Sequence, residues 1–188
     1  MSRDLADYHE QYSKHRYEKY QVMLRKRKLV EILSQHPHNT LLEVGCGLEP
    51  IFHEITSFSQ LVIVEPAQMF YEKAVADAAT TGNTNITIFN SLMEEEETRL
   101  AGYKFDFIIV SSLLHEIQDQ KGFLKTLHNI SNENTIIHIN VPNATSFHRL
   151  LALEMGLIES VFQKSDSNIQ LQQFSVFDIE SLTNMVTR

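Results

Sequence analysis

Two acids and two glycines stand where this sequence could hold a nucleoside. Leu41-Leu42-Glu43-Val44-Gly45-Cys46-Gly47-Leu48-Glu49-Pro50 runs from apolar residues through an acid to two glycines one residue apart, then a proline. The pattern reads as a buried parallel strand leading into a tight turn. Gly45 lets the turn take backbone angles that other residues avoid, and Gly47 lets a ligand approach the main chain closely. Pro50 suits a helix start, whose bare N–H groups would face whatever sits over the turn. Leu61-Val62-Ile63-Val64 is a second apolar run, ending at Glu65-Pro66. An acid at the tip of the second strand, about 20 residues past the turn, is placed to accept hydrogen bonds from ribose hydroxyls.

Two ligand classes use such a turn. Dinucleotides call for Gly-x-Gly-x-x-Gly with the pyrophosphate on the helix N-terminus, and here Pro50 replaces the last glycine. The alternative resembles motif I of the class I S-adenosylmethionine-dependent methyltransferases, an acid ahead of Gly-x-Gly, matched by Glu43, Gly45 and Gly47. The third glycine common in that family is Glu49 here. The resemblance implies S-adenosyl-L-methionine as cofactor, with Glu43, Gly45, Cys46 and Gly47 around its methionine end and Glu65 and Pro66 at its ribose. It implies Leu92 and Met93, after the third strand, as walls of the adenine slot, and Ser111, at the end of the fourth, near the sulfonium. Cys46 reads as a small turn-filling residue rather than a nucleophile.

Methyl transfer is an in-line displacement, so a methyltransferase must align the acceptor and remove its proton. His115, in Ser111-Ser112-Leu113-Leu114-His115-Glu116-Ile117, is the first choice of general base because imidazole titrates near neutral pH. Glu116 would orient it or bind a substrate amine. His148 and Arg149 follow the fifth strand at the same carboxyl edge, where open α/β sheets bind ligands. Arg149 suits a phosphate or carboxylate on the substrate, with Asn143 beside it. In an N-terminal lid, Tyr8 and Tyr12 share a helical face and would reach the methionine end or the substrate. His138 lies within a strand and reads as a core histidine. The two histidines of His36-Pro37-His38-Asn39 lack further ligands, and no metal site is expected.

These residues need a scaffold of alternating strands and helices. Residues 21–34 read as an amphipathic helix with Val22, Leu29, Val30 and Leu33 inward. Strands follow at 41–44, 61–64, 86–89, 105–110 and 135–141. Helices are expected at 50–58, at 67–79 (Met69, Phe70 and Ala74 inward) and at 120–130. The glutamates at 94–97 read as a solvated face. Five apolar strands alternating with helices predict a Rossmann-like, doubly wound α/β fold with a mostly parallel sheet covered on both faces. The whole is one compact domain, with residues 1–34 as lid and first helix and 35–188 as the cofactor-binding unit.

Composition narrows the function. At 188 residues, with 43% hydrophobic and 21% charged residues, the chain is an ordinary globular domain. No apolar run approaches the roughly 20 residues that span a bilayer. A net charge of −8 argues against a nucleic-acid partner, because phosphates are neutralised by Lys and Arg. The lone cysteine excludes a disulfide framework and fits a cytoplasmic protein. The segments 141–149 and 155–158 resemble bacterial small-molecule methyltransferases, some from sugar pathways. The expected activity is therefore methyl transfer to an oxygen or nitrogen of a small molecule. A non-catalytic binding or scaffolding subunit is the alternative, and a nicotinamide-dependent oxidoreductase is disfavoured by Pro50.

The family usually closes its sheet with a final antiparallel strand pair. After a helix at 146–157, this sequence offers a polar loop at 165–168, the segment 169–177 and a short helix at 178–186 capped by Asp178. The strand pair is thus expected to be missing, as in a chain shortened at its C-terminus. A bare fifth strand would invite pairing. It is expected to be covered by residues 169–177 folding back or by a second copy in a homodimer.

Overall fold

The computed structural model describes residues 18–187, with side chains from residue 20 onward. Tyr8, Tyr12 and most of the expected lid lie outside the described residues. The elements run α1 (Glu18–Leu33), β1 (Thr40–Val44), β2 (Gln60–Val64), α2 (Gln68–Thr81), β3 (Ile86–Phe89), α3 (Glu97–Leu100), β4 (Phe107–Ser111), α4 (Gln120–Ile130), β5 (Ile136–Asn140), α5 (Phe147–Glu154), α6 (Asp166–Gln170) and α7 (Ile179–Val186). The five strands form one sheet in the order β3-β2-β1-β4-β5. All four pairings are parallel, so the expected mostly parallel sheet is wholly parallel among the described residues.

Alternation along the strands divides the core in two. Leu41, Leu61, Ile63, Phe107 and Ile109 face Leu29 and Leu33 of α1, Ile51, Phe52, and Ala74 of α2. Leu42, Val44, Val62, Val64, Ile108 and Val110 face Phe123, Leu127 and Ile130 of α4, with Leu182 and Met185 of α7 against the same cluster. The period of two sends successive side chains to opposite faces, and both faces are covered. Chain order reverses between β1 and β4. That switch point opens a crevice at the carboxyl ends of the strands.

Several expectations are corrected. The helix at 50–58 is a single 3-10 turn over Ile51–His53. Pro50 is extended, with φ −54° and ψ 151°, and the Thr56-Ser57 pair beyond favours no helix. Helix α2 buries Phe70 and Ala74 but leaves Met69 55% exposed, because starting at Gln68 turns Met69 outward. The polar loop at 165–168 instead begins helix α6, where Ser165 Oγ accepts from the Asn168 amide at 3.3 Å. In the glutamate run, Glu97 accepts from Thr126 Oγ1 and Asn129 Nδ2 of α4, each at 2.9 Å. That run fastens α3 to α4 as well as meeting solvent. Asp178 does cap α7, accepting from the Ser181 amide at 2.8 Å.

Residues 169–177 fold back, but to the end of β5 and not along it. Leu171 and Phe177 are buried, and the Phe177 carbonyl accepts from the Ala144 amide at 2.6 Å. The contact is one parallel bridge, Asn143 to Phe177. Among the described residues β5 has β4 as its only ladder partner, so the expectation that this segment covers the edge is not met.

Leu42→Ala should cost about 2–5 kcal/mol in denaturant unfolding, because Leu42 is fully buried between strand and helix. Met69→Ala should change stability by less than about 0.5 kcal/mol.

Candidate active site

The carboxyl edge of the sheet is shaped by two buried carboxylates. Glu43, 6% exposed, is the penultimate residue of β1 and lies inside the core. Its Oε2 accepts from the Ile51 amide at 2.9 Å, which fixes the start of the 3-10 turn. Glu65, 4% exposed, follows β2. Its Oε2 accepts from the Gly47 amide at 3.0 Å and its Oε1 from the Ala67 amide at 2.9 Å. Asn90, after β3, donates to the Glu65 and Pro66 carbonyls at 3.0 and 3.3 Å. The glycine turn and the loop after β2 are therefore tied to each other through Glu65.

Both glycines of the turn are left-handed, with φ of +72° at Gly45 and +57° at Gly47. A Cβ at Gly45 would come within 3.3 Å of Leu113, whereas one at Gly47 would meet nothing within 4 Å. The turn thus has a closed side at Gly45 and an open one at Gly47. Cys46 is buried beside it, and burial, with Glu43 and Glu65 nearby, pushes its thiol well above the ordinary range.

The remaining residues divide by position. Leu92 is 48% exposed, while Met93 at 2% packs into the core with Phe123. The pair expected to wall one slot therefore separates. Ser111 Oγ accepts from Asn140 Nδ2 at 3.1 Å. His115, 2% exposed, sits in a 3-10 turn over Leu114–Glu116, its Nε2 3.8 Å from Glu116 Oε1. The His115 carbonyl accepts from the amides of Phe174 and Ser175 at 2.8 and 3.1 Å. Gln120 donates to the Leu114 carbonyl at 3.0 Å and to Ser175 Oγ at 2.9 Å.

His148 is exposed on the first turn of α5. Arg149 does not point into open space: its guanidinium donates to the carbonyl of Val161 at 2.8 Å and to that of Gln163. Asn143 Oδ1 closes a local turn by accepting from the Thr145 amide and hydroxyl, both at 2.9 Å. His138 is half-buried rather than sealed, and burial lowers its pKa.

Sequence reasoning missed Asn90, Ser91, Gln120 and Asn140. Asn90 and Asn140 each stand at a strand's carboxyl end, which was the available signal. Gln120 gave none, because its side-chain partner Ser175 lies on a distant segment.

A family model described as "Methyltransferase domain" matches residues 12–188. The chain belongs to the S-adenosylmethionine-dependent methyltransferases. Among solved structures it is similar to the plantazolicin methyltransferase BamL, crystallised with a triazolic desmethyl analogue and S-adenosylhomocysteine. That likeness has a TM-score of 0.64 at 16% identity, over 89% of this chain and 62% of that one. A SAM-dependent methyltransferase from Archaeoglobus fulgidus aligns at a TM-score of 0.62 and 13% identity, over 88% of this chain and 66% of that one. A curated relative, the hybrid PKS-NRPS synthetase mycA of Thermothelomyces thermophilus, is 33% identical over 97 residues, 47% of this chain and 2% of that protein. The chain spans about two thirds or less of these proteins.

The methyltransferase turn fits its cofactor. Glu65, at the carboxyl end of β2, holds the glycine turn and its own loop in one geometry through the Gly47 and Ala67 amides. Gly47 leaves room over its α-carbon. At the end of β3, Ser91 Oγ is buried with no hydrogen-bond partner among the described residues.

Burial, the largest effect, pushes the Glu43 carboxyl up to about 7, opposed by the Ile51 amide and by Lys26. A carboxyl raised in the folded state contributes stability that is complete below its unfolded pKa and lost as pH rises through the folded value. Glu43→Gln, which keeps an acceptor for Ile51, should therefore gain stability relative to the native protein between pH 5 and 8. The gain should be on the order of a few kcal/mol in paired denaturant titrations.

Proposed function

We propose that this methyltransferase moves the methyl group of S-adenosylmethionine to an oxygen or nitrogen of a small molecule. The observation that carries the reading is the pairing of Glu43 and Glu65 around the left-handed glycine turn, with His115 and Glu116 at the same sheet edge. When bound, the cofactor supplies a methyl carbon activated by a sulfonium. Glu65 and the open face of Gly47 hold the ribose and the chain beyond it. His115 takes the acceptor's proton as the acceptor–methyl bond forms and the sulfur–methyl bond breaks. Glu116, 3.8 Å away, stabilises the resulting imidazolium. His115 is 2% exposed, so an imidazole acting there is shielded from bulk water. A small-molecule acceptor is supported by the net charge of −8, which disfavours nucleic acid, and by the triazolic desmethyl analogue bound to BamL.

A second reading, a binding subunit without catalysis, draws on the same burial of His115. Calorimetry with S-adenosylhomocysteine and NAD side by side tests the cofactor. Glu65→Ala should weaken S-adenosylhomocysteine by about 1–3 kcal/mol, the range for hydrogen bonds to a charged group. Equal affinity in that variant, or preference for NAD, overturns the site. Release of S-adenosylhomocysteine against a panel of hydroxyl and amine acceptors separates the two readings. His115→Ala should lower that turnover about 10²–10⁴-fold with cofactor affinity nearly unchanged. Absence of turnover across the panel, with binding intact, favours the binding subunit.

A further inference from the structure

Ser112, directly after β4, is left-handed at φ +57°. Left-handed backbone is unfavourable for a residue with a Cβ and persists only where its surroundings impose it. The constraint here is Asn140, the last residue of β5. The Ser112 amide donates to the Asn140 carbonyl at 3.0 Å and to its Oδ1 at 2.7 Å. Asn140 is itself held, because its Nδ2 donates to Ser111 Oγ at 3.1 Å and to His138 Nε2 at 3.0 Å. Both contacts lie where β4 and β5 pair, Ser111 standing opposite Asn140 in the register.

The consequence reaches the cofactor turn. The reversal at Ser112 brings Leu113 back over β1, where its side chain lies against Gly45 closely enough that a Cβ there would meet it at 3.3 Å. The same reversal starts the 3-10 turn that carries His115, whose first bond runs from the Glu116 amide to the Leu113 carbonyl at 2.8 Å. We propose that Asn140 is a positioning residue for the cofactor turn: by holding Ser112 left-handed it seats Leu113 on Gly45 and aims the His115 loop. Asn140 need not touch the cofactor to do this. Without the side-chain clamp Ser112 relaxes toward negative φ, Leu113 leaves Gly45, and the closed side of the turn opens.

The proposal rests on the cofactor reading given above, so its test carries a readout that needs no cofactor. The chain has six glycines, and selective labelling resolves the amide signals of Gly45 and Gly47 by NMR. In Asn140→Ala these two signals should move while Gly82 and Gly156, at remote turns, stay in place, and S-adenosylhomocysteine should bind about 5- to 30-fold more weakly. Adding Ser112→Gly, which adopts positive φ without a clamp, should return both signals and bring affinity within about threefold of the native protein. Ser112→Val, with Asn140 intact, should reproduce the defect, because a β-branched residue resists that backbone region. It also reads the clamp should Asn140→Ala not fold. Unmoved Gly45 and Gly47 signals in both Asn140→Ala and Ser112→Val, or no recovery in the double variant, overturn the proposal. Failure of the native protein to bind S-adenosylhomocysteine overturns the cofactor reading instead, and the glycine signals still decide the clamp.

Discussion

The site depends on two carboxylates buried at the ends of adjacent parallel strands. Parallel strands end with main-chain groups that the ladder no longer pairs, and buried unpaired amides are costly. Glu43 and Glu65 answer this by accepting from the amides of Ile51, Gly47 and Ala67. The bonds to Ile51 and Ala67 join a strand tip to the loop that leaves it, and the bond to Gly47 joins the tip of β2 to the loop after β1. Burying an acid carries its own cost, visible in the raised pKa of Glu43. A carboxylate with fixed amide donors is nonetheless rigid, and rigidity is what a binding turn requires.

The rest of the fold keeps those tips in register. β1 lies between β2 and β4, so the glycine turn is flanked by the Glu65 loop on one side and the Ser111–Ser112 loop on the other. Each flanking loop is held by an asparagine from the next strand outward, Asn90 for the first and Asn140 for the second. Asparagine suits this position because one side chain both donates and accepts. The two core faces are apolar, aliphatic and aromatic together, and tightly buried, and they set the height of every strand tip at once.

Beyond β5 the chain is organised by polar fastenings more than by a core. Helices α5, α6 and α7 contain no fully buried residue. Their connections are held by the guanidinium of Arg149 on two carbonyls, the caps at Ser165 and Asp178, and the anchors Leu171 and Phe177. This segment reaches the His115 loop through Phe174, Ser175 and Gln120. Its fastening and the shape of that loop are therefore coupled.

The sequence by itself determined the five strands, the parallel class and the glycine turn with its two acids. Those features are local: an unbroken apolar run of strand length, ended by an acid and glycines, has few other solutions. Helix α4 was legible to its ends because Asp119 caps it and its apolar residues keep a helical period. Only the tertiary structure decided what each polar side chain holds. Pairing of Glu43 with Ile51 across a turn could be guessed from nearness, but that of Asn140 with Ser112, or of Gln120 with Ser175, depends on how strands and loops come together. The helix at 50–58 fails because Pro50 is extended and the Thr56-Ser57 pair favours no helix, whereas the outward Met69 follows from the start of α2 at Gln68. Among the described residues the outer edge of β5 has no ladder partner, since the destination of residues 169–177 was set by the buried seats of Leu171 and Phe177 and not by their own composition.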